Sequence, residues 1–401
     1  MSDTRKTTKP NVPNLRFPGF EGEWARCTLG EIGEPYIGLT YSPADVVSEG
    51  GTIVFRSSNI QNGEIDYSDI VRVNKIIKDS IITRKDDLLI CARNGSPRLI
   101  GKNALLKEAD EGQTFGAFML VFRSNDNHFV HQLLCTKGYN SQVSENLGAR
   151  INQITTSNIR DFEFCFPQST AERNKIAGFL DLIDERIAVQ SRLIDRLQSL
   201  IKGINRTIFT GSGLEYSLCD VCEIRSGYSG NQLQGGKGLG VSRIETISAH
   251  NINLERIGYV APFDASENYR LQVGDILFSN INSVEYIGNT AFIDKDYNLY
   301  HGMNLLRLIP FRNVVVPFYL YILLNTNRML KHFKTICNKA VSQASINQKE
   351  LGKTIVMLPS LEKQKQVCNM YQAMYSKLKT EKDVLSFYQE QKRYLLRHMF
   401  I

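Results

Sequence analysis

Apolar residues recur at alternating spacings of four and three in two long stretches of the chain. The first series is Ile176, Leu180, Ile183, Ile187, Gln190, Ile194, Leu197, Ile201 and Ile204, and the second is Val367, Tyr371, Met374, Leu378, Glu381, Leu385, Tyr388, Lys392 and Leu395. This spacing is typical of a coiled-coil seam. A single amphipathic helix would more simply cover its own domain, but two matched series favour a pair.

Each series has nine positions, and its fifth, central member is polar: Gln190 in one and Glu381 in the other. In an antiparallel pair these two residues fall in the same layer and can form a hydrogen bond. A shift of one heptad would leave each without its partner. We therefore predict an antiparallel helix pair registered at Gln190 and Glu381.

The regions before the two helices, residues 24–165 and 216–357, have the pattern of short β-strands. Apolar and polar residues alternate in segments such as residues 52–56 and 290–294, and clusters of Gly, Asn and Ser separate the segments. Two β-rich domains are therefore predicted, each followed by one long helix.

The two halves repeat one plan at an offset of about 190 residues. Residues 23–32 answer to residues 215–224, and the prolines Pro167 and Pro359 both end a β-rich stretch at an offset of 192. The strings Ala-Arg-Ile-Asn-Gln at 149–153 and Ala-Ser-Ile-Asn-Gln at 344–348 also match. Since the Asn-Gln pairs do not vary, they are interpreted as structural turns or helix-end contacts.

These observations predict an α+β fold with two pseudo-symmetric β-rich domains separated by two long helices that form an antiparallel coiled coil. The predicted segments are an N-terminal segment at 1–23, a first β-rich domain at 24–167, a first helical region at 168–210, a second β-rich domain at 211–359 and a second helical region at 360–401.

The net charge of +7, from 48 Lys and Arg against 41 Asp and Glu, favours a polyanionic partner. No apolar run approaches the roughly 18 to 20 residues needed to cross a bilayer, and the N-terminus lacks an apolar export segment. A cytoplasmic protein without membrane contact is expected.

Eight cysteines are scattered along the chain, mostly among apolar neighbours, and are interpreted as reduced core residues. Cys219 and Cys222 form one CxxC, but a structural zinc site needs four ligands and no second pair follows. No metal site is predicted, with zinc at this CxxC as the alternative.

The Gly, Asn and Ser clusters of the β-rich domains supply candidate nucleic-acid contacts, since Arg can pair with guanine and Asn with adenine in the major groove. The same residues are common in ordinary surface turns. As sets at matching places, they are predicted to bind DNA. In the first domain they are Arg56, Ser57, Ser58, Asn59, Arg93, Asn94, Ser96, Arg98 and Lys102, the last suited to a phosphate. In the second they are Tyr228, Arg243, His250, Asn251, Asn253, Asn280, Asn282, Ser283 and Tyr286.

The common sequence signatures of a catalytic site are absent. The stretch Gly235–Gly238 lacks the glycine spacing and hydroxyl of a phosphate-binding loop, and no dinucleotide fingerprint or Asn-Pro-Pro-aromatic string is present. The six histidines form no HExxH motif. No catalytic residue is predicted, with a nuclease built from scattered carboxylates as the alternative.

Residues 14–24, Asn-Leu-Arg-Phe-Pro-Gly-Phe-Glu-Gly-Glu-Trp, resemble the opening of type I restriction-modification specificity subunits. The Gly-Asp-Ile-Leu string at 274–277, the Ile-Asn-Gln strings and the Lys-Arg-Tyr-Leu-Leu ending at 392–396 extend the resemblance over the whole chain. It implies two target-recognition domains that each read half of a split DNA site, with the helices setting the spacer.

The resemblance also implies a non-catalytic subunit that docks two methyltransferase subunits and, in the full complex, restriction subunits. S-adenosylmethionine, ATP and Mg would then belong to those partners, with no cofactor in this chain. Two other functions remain open: a free-standing bipartite DNA-binding regulator, and a coiled-coil scaffold whose β domains bind protein. Exposed apolar surface beside the helices would argue against the regulator, and absence of salt-dependent DNA affinity would favour the scaffold.

Overall fold

A computed structural model describes residues 11–147, 152–208, 213–233, 236–248, 250–339 and 343–401, without the side chains of 205–208. Residues 149–151 of the first Ala-Arg-Ile-Asn-Gln string, Gly235, and the boundary between the predicted first helical region and second domain at 210/211 lie outside the described residues. The chain divides into two compact units, residues 1–193 with 381–401 and residues 194–380.

Short strands and helices build the first unit. Its strands are Ala25–Thr28 (β1), Glu34–Ile37 (β2), Val46–Val47 (β3), Thr52–Phe55 (β4), Ile60–Gln61 (β5), Glu64–Ile65 (β6), Val71–Val73 (β7), Leu88–Cys91 (β8), Asn103–Leu105 (β9), Thr114–Phe115 (β10), Met119–Arg123 (β11) and Glu163–Phe166 (β12). Its helices are Leu29–Ile32 (α1), Asn127–Leu133 (α2), Lys137–Asn146 (α3), Thr156–Asp161 (α4) and the beginning of Thr170–Ile208 (α5).

The second unit follows a similar order. Its strands are Leu214–Ser217 (β13), Cys222–Ser226 (β14), Leu239–Val241 (β15), Gly258–Val260 (β16), Ile276–Phe278 (β17), Ile281–Asn282 (β18), Thr290–Phe292 (β19), Leu306–Pro310 (β20), Asn338–Lys339 (β21), Ala344–Ser345 (β22) and Ile355–Leu358 (β23). Its helices are Leu218–Val221 (α6), Pro317–Leu324 (α7), Asn327–Ile336 (α8), Gln348–Gly352 (α9) and the beginning of Leu361–Met399 (α10).

Both units contain one four-stranded antiparallel sheet with the same strand order, β2-β11-β8-β9 in the first and β14-β20-β17-β19 in the second. In each, the opening strand also pairs with the strand that precedes the long helix, β1 with β12 and β13 with β23. The predicted α+β fold with two β-rich repeats is confirmed.

A buried ion pair supports each of these sheets. Asp87, at the start of β8, accepts hydrogen bonds from Arg123 on β11, and Asp275, at the start of β17, pairs with Arg307 on β20 at 2.6 Å. All four side chains are at least four-fifths buried. Removing one member of such a pair leaves an uncompensated buried charge, which is strongly destabilising.

The long helices α5 and α10 each contain 39 residues and pack antiparallel, as predicted. Within the first unit, Asp184 accepts a hydrogen bond from Lys392 at 2.5 Å, and Gln190 donates to Glu381. Gln190 follows Asp184 along α5, whereas Glu381 precedes Lys392 along α10, so the two helices run in opposite directions. Every described seam position is buried or half-buried. Within the described residues, no helix has the length and apolar character needed to span a membrane.

The N-terminal segment holds the beginning of α5 and the end of α10 in the first unit. Arg16 binds the buried carboxylate of Glu172 through two hydrogen bonds of 2.7 and 2.8 Å, and the backbone N–H of Leu15 donates to the carbonyl of His398. Trp24 is 2% exposed and lies edge-on to Phe400. The residues of the opening motif are therefore structural.

Candidate DNA-recognition surfaces

The first candidate loop follows β4 and forms a 3-10 turn, Ser57–Asn59. The backbone N–H of Arg56 donates to Asn59 Oδ1 at 2.9 Å, and the N–H of Asn59 donates back to the Arg56 carbonyl. Asn59 is buried, and its Nδ2 donates to the carbonyls of Asp66 and Asp69. Asn59 therefore shapes the loop, whereas Ser58 is exposed.

The guanidinium of Arg56 lies against Asp69, with a 2.8 Å ion pair to the carboxylate and a 3.1 Å hydrogen bond to the carbonyl. The Arg56 side chain is 34% exposed and that of Asp69 is 67% exposed. Ion pairs this open to water contribute only about 0 to 1 kcal/mol. The ion pair therefore orients the Arg56 side chain but is weak enough to leave it able to form another contact.

The second candidate loop follows β8 and carries exposed Arg93, Ser96 and Arg98. Asn94 Nδ2 donates to Ser57 Oγ at 2.9 Å, and Asn94 Oδ1 accepts from the Ser96 N–H. This bond joins the two loops, so the structure brings together the two residue sets predicted for the first domain.

Phe118 belongs to the same surface but was not predicted from the sequence. The Arg93 guanidinium lies 5.0 Å from its ring centroid, and the Phe118 carbonyl accepts the N–H groups of both Ala92 and Arg93. Its side chain is 57% exposed. A lone Phe beside a strand usually predicts core, so only the structure reveals this aromatic contact.

Arg98 and Lys102 line a cavity of about 900 Å3 in the first unit. The carboxylates of Asp181, Asp184 and Glu185 on α5 line the same cavity. Lys102 is half-buried. Lys102 thus lines a cavity that also contains carboxylates, and its role as a phosphate contact remains a prediction.

The second unit builds the same turn after β15. The N–H of Arg243 donates to Thr246 Oγ1 at 2.9 Å, and the N–H of Thr246 donates back to the Arg243 carbonyl at 3.0 Å. This is the hydrogen-bond pattern of Arg56 and Asn59. Arg243 is exposed, with Glu245 at 3.7 Å.

The His250–Asn253 set lies beside that turn. The N–H of Asn253 donates to the Thr246 carbonyl, and Asn253 Oδ1 caps the next 3-10 turn by accepting from the Glu255 N–H. His250 has a φ of 59° and its carbonyl accepts from Tyr321 Oη. His250 and Asn251 are exposed, whereas Asn253 is half-buried and partly structural.

The loop after β17 carries the remaining amide-rich set. Asn282 Nδ2 donates to Ser279 Oγ, and Asn282 Oδ1 accepts from the Ser283 N–H. Asn280 donates to the carbonyl of Ile346 at 3.4 Å. Ser283 and Tyr286 are exposed, so this loop offers a hydroxyl and an aromatic group to solvent, whereas Asn280 and Asn282 are half-buried.

Tyr228 lies elsewhere in the second unit, in an aromatic cluster. Its ring stacks on Phe263 with centroids 3.6 Å apart and contacts the edge of Tyr269. The cluster lines a cavity of about 580 Å3 with Arg225 and Arg307. Because Phe263 covers one face of Tyr228, stacking on a DNA base is restricted to the other face.

The sheet registers identify equivalent positions in the two loops. The N–H of Cys91 donates to the Lys102 carbonyl as that of Ser279 donates to the Asn289 carbonyl, so Arg93 corresponds to Ile281. Likewise Leu120 pairs with Ile90 as Leu306 pairs with Phe278, which aligns Phe118 with Asn304. The scaffold is shared, and the exposed chemistry differs.

The proposed match between the two Ile-Asn-Gln strings is wrong by three residues. The N–H of Ile154 donates to the Ala92 carbonyl as that of Ile346 donates to the Asn280 carbonyl, an offset of 192. Thr155 then caps α4 where Asn347 caps α9. Either residue satisfies a helix N-terminus, so the shared letters reflect similar composition at different places.

The CxxC differs from the predicted pair of core thiols. Cys219 is exposed, whereas Cys222 is buried, its Sγ donates to the Leu218 carbonyl, and burial raises its pKa to about 12. Metal binding requires the thiolate. The described part of the chain holds no group of three or more His, Cys, Asp or Glu side chains placed to bind a metal.

Known proteins resemble this chain in both of its halves. The family model for the type I restriction modification DNA specificity domain matches residues 21–199 and 214–385. The MjaX type I restriction enzyme specificity subunit of Methanocaldococcus jannaschii is 43% identical over 157 residues, 38% of this chain and 37% of that protein. The chain thus aligns with just over a third of that relative's length.

Two longer matches cover most of the chain. The EcoKI type I restriction enzyme specificity subunit of Escherichia coli is 24% identical over 389 residues, 88% of this chain and 82% of that protein. The crystal structure of the S subunit of a type I restriction-modification system from M. genitalium shares the fold, with a TM-score of 0.63 and 19% identity over 97% of this chain and 99% of that one. The chain therefore belongs to the family of type I restriction-modification DNA specificity subunits.

Proposed function

We propose that the chain reads a split double-stranded DNA site, one half with residues 24–167 and the other with residues 211–359, and performs no chemistry itself. The observation that carries this proposal is one turn built twice, with Arg56 and Arg243 at the same place on equivalent scaffolds. Different side chains surround each arginine, as expected of two readers with different base preferences.

The chemistry of each surface suggests what it reads. The first has three arginines, Arg56, Arg93 and Arg98, the side chain best suited to bidentate contact with guanine. The second combines Arg243 with the amides of Asn251 and Asn282. Asparagine pairs with adenine, so the second half-site is proposed to be richer in A·T pairs.

Docking of methyltransferase subunits is supported by apolar side chains that the helices leave exposed in the first unit. Leu182 and Val189 on α5 are 60% and 51% exposed, and Phe387 and Tyr394 on α10 are 66% and 59% exposed. Each pair is separated by seven residues and so lies on one helix face. Apolar surface of this kind marks an interaction site and argues against a regulator that works alone.

The proposed complex contains two methyltransferase subunits, one for each repeat, and restriction subunits in its full form. Adenine methylation would use S-adenosylmethionine in the methyltransferases, and ATP and Mg would serve the restriction subunits. This chain would determine the DNA sequence at which the complex acts.

The test is co-expression with the partner methyltransferase, followed by mapping of methylated adenines over a genome or random library. The expected result is a split motif with two defined halves. Exchange of residues 24–165 for those of another family member should change one half and leave the other intact.

Other results would overturn the proposal. A stable complex that methylates nothing would favour the scaffold, provided that the chain also lacks salt-dependent DNA affinity. A continuous motif, or binding without a methyltransferase partner, would favour the regulator.

A further inference from the structure

Arg93 and Phe118 form an exposed pair on the first recognition surface. The guanidinium carbon lies 5.0 Å from the ring centroid, within the range of a cation–π contact. The Phe118 carbonyl holds the N–H groups of Ala92 and Arg93 at 2.9 and 3.0 Å. Backbone and side chain of the two residues are therefore positioned together.

Several contacts place this pair among the predicted readers. Asn94, the next residue along the chain, donates to Ser57 in the other loop at 2.9 Å. Arg56 immediately precedes Ser57, at the beginning of the same turn. The pair thus belongs to one continuous surface.

Phe118 is an exposed aromatic residue on the first recognition surface. Phe118 lies in the turn that precedes β11 and is 57% exposed, whereas Met119, the first residue of that strand, is 1% exposed. In the second unit the corresponding positions hold Ile281 and Asn304, which provide neither a cation nor an aromatic ring. The pair is therefore not a requirement of the shared scaffold.

Resting on the proposed function, we infer that Arg93 and Phe118 together read two adjacent base pairs, a G·C pair through Arg93 and a T·A pair through the thymine methyl at Phe118. Arg binds guanine O6 and N7, and Phe is a known apolar contact for the thymine methyl. Successive bases are separated by about 3.4 Å along a strand. A separation of 5.0 Å between the two groups suits neighbouring base pairs.

The orientation of Arg93 follows from the same contact. A guanidinium lying over an aromatic ring loses fewer conformations on binding than a free one. Phe118 therefore has two effects, a direct contact with thymine and a restriction of Arg93 that favours guanine.

The test compares DNA duplexes that carry the thymine methyl group with duplexes that lack it. The chain is purified with its partner methyltransferase, and affinities are measured for duplexes of the mapped site in which each thymine of the first half is replaced by deoxyuridine. One replacement should weaken wild-type binding about two- to fivefold, the effect of one buried methyl group. Replacements in the second half serve as internal controls.

Variants assign this effect to Phe118. Phe118→Ala should bind the thymine and uracil duplexes equally, and Phe118→Leu should retain part of the difference. Arg93→Ala should reduce the preference for guanine at the adjacent position by roughly ten- to a hundredfold. Ile76→Ala, a 97% exposed apolar residue of the same unit, is the matched control and should leave both preferences unchanged.

The outcomes separate this inference from the proposed function. Undiminished thymine preference in Phe118→Ala, or a first half-site without adjacent G·C and T·A pairs, would overturn the inference while leaving the split site established. Absence of any split motif would overturn the proposed function itself, and this inference with it.

Discussion

Gln190 donates through Nε2 to both the side chain and the backbone carbonyl of Glu381, at 2.5 and 3.0 Å. Each residue is the twenty-first of its 39-residue helix, and Glu381 is 7% exposed. A polar layer in an otherwise apolar seam lowers stability but selects one register. The central positions of the two helices thus align α5 and α10 in the first unit.

The Gln190–Glu381 layer predicts a non-additive response to substitution. Gln190→Leu removes a donor to a buried carboxylate and should lower the free energy of unfolding by roughly 1 to 3 kcal/mol. Gln190→Leu with Glu381→Leu should recover much of that loss, since an apolar layer carries no desolvation cost. Chemical denaturation of both single variants and the double variant measures the coupling, and simple additivity would show that the two side chains do not stabilise each other.

The apolar seam predicts a large effect at Ile194. This side chain is 6% exposed, so Ile194→Ala should cost roughly 2 to 5 kcal/mol by leaving a cavity. Ile187 is half-buried and should cost less. Val189→Ala, on the exposed face, is the matched control and should stay within about 0.5 kcal/mol. Equal melting of the Ile194 and Val189 variants would contradict the helix pairing.

The equivalent arginines predict reciprocal changes of specificity. Arg56→Ala should weaken base discrimination at one position in one half of the methylated motif, and Arg243→Ala should do so at one position in the other half. Each loss of discrimination should be roughly 1 to 3 kcal/mol. Motif mapping with each variant checks this, and each serves as the control for the other. A uniform loss over both halves would mean that the arginines contact only phosphates.

The exposed face of α5 predicts a loss of assembly without a loss of folding. Leu182→Asp, or Val189→Asp, places a charge on the apolar docking face and should reduce co-purification of the methyltransferase. The melting temperature should change little, because both side chains are more than half exposed. Ile76→Asp on the β domain is the control. Full recovery of the methyltransferase with both α5 variants would exclude this face as the docking site.

His128 predicts a pH-dependent contribution to stability in the first unit. Its Nδ1 lies 2.6 Å from Asp181 and its Nε2 3.3 Å from Asp86, and the hydrogen bond to Asp181 raises its pKa. A raised pKa gives stability that is complete below the unfolded value of about 6.5 and is lost as the pH rises through the folded value. The advantage in melting temperature of wild type over His128→Gln should therefore be constant below about pH 6.5 and shrink as the pH rises above that value. A difference that stays the same as the pH rises from below about 6.5 into the alkaline range would show that the charge on the ring contributes no stability.

The placement of several candidate residues on loops could be predicted because residue type and repeat position were both informative, whereas their contact with DNA stays a prediction. Arg93 and Arg243 are exposed and Arg56 is half-buried, all three on loops at equivalent or adjacent places, as polar residues between strands predict. The buried state of Asn59 could not be predicted, since an amide serves equally well to bind a base or to close its own loop. Phe118 was missed for the opposite reason, as an apolar residue that remains exposed.

The sequence by itself determined the two repeats, the nine-position seams, the central Gln190 and Glu381 and the α+β order, because these depend on periodicity along the chain. The tertiary structure decided which repeated positions are equivalent, correcting the Ile-Asn-Gln match, and which side chains meet across loops, as Asn94 meets Ser57 and Arg93 meets Phe118. Periodicity specifies the face of an element on which a residue lies. Contacts between loops depend on strand pairing over long separations, which no local pattern encodes.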